Sequence, residues 1–289
     1  LWQIELDGSA TCISTLEEKK RPYYNEMKIL SIEFHQKLPF LVACFSDDDA
    51  RLWYLESNGT NTTFVGSIGL IDVLFLDSVA FHPTLPTLIV TSHHGFYLYK
   101  FSQKEIKLIE KLQIPNIPNI PSYKSYIKFH QSLPFLAINS EDNNIELYRY
   151  SDNELKLDIN HITTIPSDFK YNYNSIVFHP TLPLLAIISN NYLKFWRFEL
   201  DSSTTTCFET LNREFNCIAF HPTLPFLATS EFLESGVELW ILKPHEMMIK
   251  ATSVVKLNKD NNLYYPIAFH PNLPLMAAGT FMEITLWKL

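Results

Sequence analysis

Six copies of one hexapeptide set the terms on which this chain can fold. FHQKLP, FHPTLP, FHQSLP, FHPTLP, FHPTLP and FHPNLP begin at Phe34, Phe81, Phe129, Phe178, Phe220 and Phe269. Successive copies start 47, 48, 49, 42 and 49 residues apart. A period of about 40–50 residues belongs to a solenoid, a propeller or an array, in which each unit buries its apolar face against its neighbours. Residues that would look catalytic one at a time must then be weighed as structural parts that recur.

Each period carries three strand-like runs. The first enters the motif with alternating large apolar residues, as in Ile32-Glu33-Phe34 and Ile127-Lys128-Phe129. His-x-x-Leu-Pro follows as a turn, because proline fixes φ and has no N–H to give to a ladder. The second run, such as Phe40–Phe45 or Leu184–Ile188, is almost continuously apolar, the pattern of a strand buried on both faces. It ends on Ser46, Ser92, Ser140, Ser189, Ser230 or Thr280. The third carries an aromatic at Trp53, Tyr99, Tyr148, Trp196, Trp240 and Trp287, always 17 to 19 residues after the motif histidine. Leu1-Trp2 repeats that signature at the start. A fourth, less regular strand fits each following gap, for example Thr204–Leu211 or Ile249–Lys256. Four short antiparallel strands per period make one blade of a β-propeller. A helical repeat is disfavoured, since no 3.6-residue periodicity is sustained and proline interrupts every unit at the same place.

On these residues the chain resembles the WD-repeat β-propellers over essentially its whole length. The segment FHPTLPLLA from Phe178, the serine closing the second strand and the Leu-Trp of the third match the family pattern. The resemblance implies an all-β fold that displays loops to partner proteins. It has departures. The family's Gly-His before the first strand is not evident. The Asp that follows Trp is replaced by Tyr54, Lys100, Arg149, Arg197, Ile241 and Lys288. The Asp–His–Ser/Thr–Trp tetrad of the family is therefore expected to be incomplete, with stability resting more on aromatic packing and ladder bonds.

The fold expected is a single all-β domain over 1–289, a β-propeller of four-stranded antiparallel blades. The cores of its first three strands lie at about 29–55, 77–101, 124–150, 174–198, 215–242 and 265–289. The blades number seven if residues before Leu1 supply a further first and second strand. They number six if residues 1–5 are a tail and 9–16 the closing strand.

Charge and cysteine usage narrow the partners. Net charge is -8 with no Lys/Arg-rich run, which speaks against a nucleic-acid or anionic-membrane footprint. No apolar run approaches the ~18 residues of a membrane span. Cys12, Cys44, Cys207 and Cys217 have no paired or metal-type spacing and read as reduced thiols of an intracellular, cytoplasmic protein. Asn58-Gly-Thr and Asn61-Thr-Thr match glycosylation sequons and read as polar loop in that setting.

The chemistry-bearing residues dissolve into the repeat. His35, His82, His130, His179, His221 and His270 each sit on their own turn, so they do not converge on one ion at ~2 Å and read as structural. Trp53, Trp196, Trp240 and Trp287 are structural by the same recurrence. His93-His94-Gly95 reads as a polar turn, because neighbouring strand residues point opposite ways. Asp47-Asp48-Asp49 lacks the glycine and distal glutamate of a calcium loop. No nucleophile elbow, phosphate loop or zinc-protease motif is present, so no catalytic, cofactor-binding or metal residue is assigned and the chain is read as no enzyme.

Two segments read as binding features. Pro115, Pro118 and Pro121 are spaced three apart, the period of polyproline II, either as a ligand for an aromatic groove or as a stiff connector between blades. Phe232 and Leu233 lie on a longer turn, either as a partner anchor or folded onto their own blade. The function expected is a non-catalytic protein–protein interaction scaffold. The alternatives are a structural component of a large assembly, such as a particle coat or cytoskeletal complex, and an enzyme with a site at the central channel.

Overall fold

The computed structural model describes residues 2–4, 10–12, 29–45, 49–56, 62–68, 76–92, 95–114, 127–139, 144–153, 156–166, 176–189, 192–200, 204–231, 236–245, 248–257, 265–269, 275–279 and 284–288. Every regular element among them is a strand. A short hairpin pairs β1 (Trp2–Ile4) with β2 (Ala10–Cys12). The first repeat forms the sheet β3 (Ile29–Phe34), β4 (Phe40–Phe45), β5 (Asp49–Leu55) and β6 (Thr62–Ile68). The second forms β7 (Leu76–Phe81), β8 (Thr87–Ser92), β9 (Gly95–Phe101) and β10 (Ile106–Leu112). The third forms β11 (Ile127–Phe129), β12 (Phe135–Asn139), β13 (Ile145–Asn153) and β14 (Lys156–Ile165).

The fourth repeat forms β15 (Ile176–Phe178), β16 (Leu184–Ser189), β17 (Tyr192–Phe198) and β18 (Thr205–Leu211). The fifth forms β19 (Phe215–Phe220), β20 (Phe226–Glu231), β21 (Val237–His245) and β22 (Met248–Leu257). The sixth contributes three described strands, β23 (Tyr265–Phe269), β24 (Leu275–Gly279) and β25 (Ile284–Lys288). Strand order within every repeat sheet follows chain order, which is the meander of a propeller blade. The chain is all-β and of the β-propeller class, with six repeat sheets among the described residues.

Two compact units divide the chain. One comprises Leu1–Glu5, Ser9–Phe129 and Pro134–Thr164, and the other comprises Leu6–Gly8, His130–Leu133 and Ile165–Leu289. In each, the core lies between successive sheets. In the first unit, Val42, Leu52 and Ile68 pack with Val79, Phe81, Leu88 and Tyr99. In the second, Ile188, Leu193 and Phe195 pack with Ile218, Phe220, Leu227 and Trp240. All six residues of β4 and of β16 are buried, because the second strand is covered on both faces.

The register repeats as faithfully as the sequence. The third-strand aromatics Trp53, Tyr99, Tyr148, Trp196, Trp240 and Trp287 stand opposite Leu41, Leu88, Leu136, Leu185, Leu227 and Met276. β6, β10, β18 and β22 each carry a bulge opposite that aromatic, which leaves Val65, Ile109, Phe208 and Val254 without a partner residue. First strands β3, β7, β19 and β23 bulge as well. In the sixth repeat the extra residue is Pro266, which a regular ladder would reject for want of an N–H.

Candidate interaction surface

The motif histidine does two jobs, and its two nitrogens divide them. In the five repeats with a described turn, Nδ1 accepts backbone N–H groups two and three residues on. For His35 the donors are Lys37 and Leu38, both at 3.1 Å. For His130 they are Ser132 and Leu133, at 3.2 and 3.1 Å. His82, His179 and His221 accept in the same way. With Nδ1 an acceptor, the ring proton sits on Nε2. From there His35 donates to the Leu85 carbonyl at 3.0 Å and His130 to the Leu182 carbonyl at 2.8 Å. Both acceptors are the motif leucine of the following repeat.

The imidazole also lies against the next motif phenylalanine. Ring centroids are 5.1 Å apart for His35–Phe81, 5.4 Å for His82–Phe129 and 5.2 Å for His130–Phe178. They are 5.1 Å apart for His179–Phe220 and 5.0 Å for His221–Phe269. Phe101, Tyr150 and Phe198 complete a triangle of ring contacts with His35 and Phe81, His82 and Phe129, and His130 and Phe178. Each histidine therefore shapes its own turn and fastens it to the next repeat. Burial pushes the pKa of His35, His130 and His221 below the ordinary imidazole value. His179 is pushed down to about 4, by burial first and by the neighbouring His130 second. With both nitrogens committed, His35 and His130 have none left for a metal or a proton relay.

The face beneath the third-strand aromatic is built differently in each repeat. In the fifth, Trp240 Nε1 donates to Thr229 Oγ1 at 2.9 Å. This hydroxyl is not the strand-closing serine that the resemblance pointed to. Thr229 lies two residues from Leu227, the cross-strand partner of Trp240, so it shares the face of the indole. Ser230 points the other way, and its buried Oγ has no partner among the described residues. The positions equivalent to Thr229 are Ala43, Val90, Ile138, Ile187 and Ala278, none of which offers a hydroxyl. Trp196 Nε1 is accordingly buried without a partner among the described residues.

Charged groups fill this face instead. Arg51 bonds Asp49 at 2.9 Å and lies over Phe45. Glu146 accepts from His161 Nε2 and from Thr164 Oγ1, both at 2.7 Å. Arg213 pairs with Glu231 and, at 2.6 Å, with Glu238, while its guanidinium lies over Phe215 and Trp240. Arg51, Glu146 and Glu238 occupy one register position, two residues before the aromatic. On the first strands, Glu33 accepts the Phe81 N–H at 3.0 Å and pairs with Lys128 at 3.2 Å.

The partner-facing candidates Phe232, Leu233, Pro115, Pro118 and Pro121 lie outside the described residues, as do His270, His93, His94, Asp47 and Asp48. Their flanks are described. Ile114 is buried ahead of the proline segment. The Phe232 turn is entered from buried Glu231 and left through Gly236, whose φ of 107° is one that side chains with a Cβ rarely adopt. Sequence reading passed over the exposed apolar residues: Phe64 on β6, Leu108 and Ile109 on β10, and Leu182 and Leu224 on the motif turns. An adjacent apolar pair such as Leu108-Ile109 breaks strict alternation, which was the available signal of a bulge. No group of three His, Cys, Asp or Glu side chains suited to a metal occurs among the described residues.

No protein-family model and no curated protein matches this chain. Among solved structures it is similar to a chain in the crystal structure of the mitotic checkpoint complex. The two share 14% identity with a TM-score of 0.65, over 98% of this chain and 81% of that one. At that identity the likeness speaks for the fold alone, and the fold is a β-propeller.

Proposed function

We propose that residues 1–289 act as one domain, a non-catalytic scaffold that binds other proteins through loops and edges carried on a rigid repeat. The observation that carries the reading is the use of the motif histidines. Five recurring side chains that could do chemistry are instead committed to turns and to the following repeat. A frame held so uniformly, with connections of unequal length such as 56–77 and 102–124, suits variable display on a constant support. The solved chain it resembles belongs to a protein complex, which agrees with protein partners. The contacts proposed are Phe232 and Leu233 on one turn and Pro115, Pro118 and Pro121 in a connector. A cytoplasmic setting, without nucleic acid or membrane as partner, belongs to the same reading and is supported by the charge of -8 and the unpaired cysteine spacing.

The test is affinity purification of the intact chain beside a variant with Phe232→Ser and Leu233→Ser and a second with the proline segment shortened. The proposal expects stoichiometric protein partners, at least one of them lost from a variant that keeps its thermal midpoint. Turnover of a small molecule in a metabolite screen would overturn it.

A further inference from the structure

From the geometry of β10 we infer a binding site for an extended peptide that carries acidic side chains, added as a fifth strand to the second repeat sheet. The inference rests on the scaffold reading and names one class of partner for it. β10 is the edge of the sheet β10-β9-β8-β7, so one row of its N–H and C=O groups faces away from any strand of that sheet. Leu108 and Ile109 are each 39% exposed beside that edge.

The charges around this edge are net positive. Lys100 on β9 and Lys107 on β10 stand directly opposite each other, and both are exposed. Like charges in direct cross-strand register repel. Lys104 lies in the connecting turn, and Lys111 lies over the ring of Tyr97. None of the four forms an ion pair among the described residues. With Glu105 and Glu110 counted, residues 100–112 carry +2 in a chain of net charge -8. Of the other outer strands, β6 and β18 carry no lysine, β14 carries Lys156, and β22 carries Lys250 opposite Lys243 and Lys256 opposite Glu238.

Lysine on an edge commonly blocks pairing with a neutral strand. The same lysines select a strand that brings carboxylates, which would relieve the Lys100–Lys107 repulsion while its backbone completes the ladder. Apolar side chains alternating with those carboxylates would cover Leu108 and Ile109. The occupant is thus a short extended segment of alternating acidic and apolar residues.

The experiment is fluorescence anisotropy on the full chain with a labelled peptide of about ten residues alternating Glu and Val. The controls are a Lys/Val peptide of equal length and the Glu/Val peptide N-methylated at alternate amides. The variants are K100E/K107E and K100Q/K107Q, checked for an unchanged thermal midpoint. We expect the Glu/Val peptide to bind roughly tenfold or more tightly than either control. We expect K100Q/K107Q to weaken it and K100E/K107E to favour the Lys/Val peptide instead. Equal binding of the N-methylated peptide would show charge attraction without strand addition and overturn the inference. So would no binding, or binding indifferent to both variants. Self-association of the chain abolished by K100E/K107E would make a second copy the occupant and overturn it equally. Partners from affinity purification that persist on K100E/K107E would sink the edge site and leave the scaffold reading standing.

Discussion

The motif turn and the face beneath the third-strand aromatic hold the repeats together by opposite means. At the turn, His35, His82, His130, His179 and His221 make the same local bonds, and His35 and His130 reach the next repeat through a carbonyl. A backbone acceptor is present whatever residue occupies the site, so only the histidine must be kept. On the strand face, contacts run from side chain to side chain, and each needs both partners. There the repeats have diverged into Arg51–Asp49, Glu146–His161–Thr164, Arg213 with Glu231 and Glu238, and the indole–hydroxyl bond of Trp240. Interactions that ask one residue of the sequence persist through a repeat; those that ask two are replaced.

The largest expected effect is at the turn. His130→Ala removes the acceptor of two N–H groups, the donor to Leu182 and the ring against Phe178 and Phe198. Groups left unsatisfied cost roughly 1–3 kcal/mol each, so we expect a loss of about 3 kcal/mol in urea denaturation. His130→Asn puts an acceptor near the place of Nδ1 but cannot reach Leu182. It should restore about half, and full restoration would mean that the reach to the next repeat adds nothing.

On the strand face, Arg213→Met leaves Glu231 and Glu238 buried without their cation. Breaking a buried pair costs about 3–5 kcal/mol, and the partial exposure of Arg213 lowers the expected loss to about 2 kcal/mol. Changing Glu231 and Glu238 to Gln in the same protein should return most of it, because the face tolerates replacement of a whole cluster. A triple variant as unstable as Arg213→Met alone would break the comparison.

Acid should act on the turns. Burial lowers the folded pKa of His35, His130, His179 and His221, so the unfolded chain takes up protons near the ordinary 6.5 while the folded one still refuses them. Their contribution is fully present above pH 6.5. It is lost as pH falls through the lower folded values, reaching about 4 for His179. A scan from pH 7.5 to pH 5 should lower the thermal midpoint by several degrees, at about 2–4 °C per kcal/mol for a chain of this size class. His179→Gln should flatten part of that slope.

The smallest effect tests one bond. Thr229→Val leaves the Trp240 Nε1 donor unsatisfied and should cost about 1 kcal/mol. Ile187→Thr offers Trp196 the equivalent hydroxyl, but it gives up apolar burial and should come out near zero.

Much of the fold was legible because the period, the proline after each leucine and the aromatic 17 to 19 residues past the histidine are all local signals. They place strands and turns without knowledge of what packs where. The reach of His35 to Leu85 joins residues 50 apart, and no spacing rule distinguishes it from a bond within the turn. The choice of Thr229 over Ser230 depends on strand register, which a one-residue step inverts. The lysine pair Lys100–Lys107 likewise appears only once β9 and β10 are aligned. The charged clusters on the strand face could not be anticipated, since the shared position holds Arg51 in one repeat and Glu146 or Glu238 in others, each with different partners.

The central claim is that the motif histidine fastens its repeat to the next, and a double-mutant cycle tests it most directly. His35→Ala, Phe81→Ala and the double variant are each denatured in urea. The two residues are 46 apart in sequence with ring centroids at 5.1 Å. Coupled residues in contact show interaction energies of about 0.5–3 kcal/mol. We predict about 1 kcal/mol of favourable coupling. Additivity within about 0.3 kcal/mol would contradict the account and confine the histidine to its own turn.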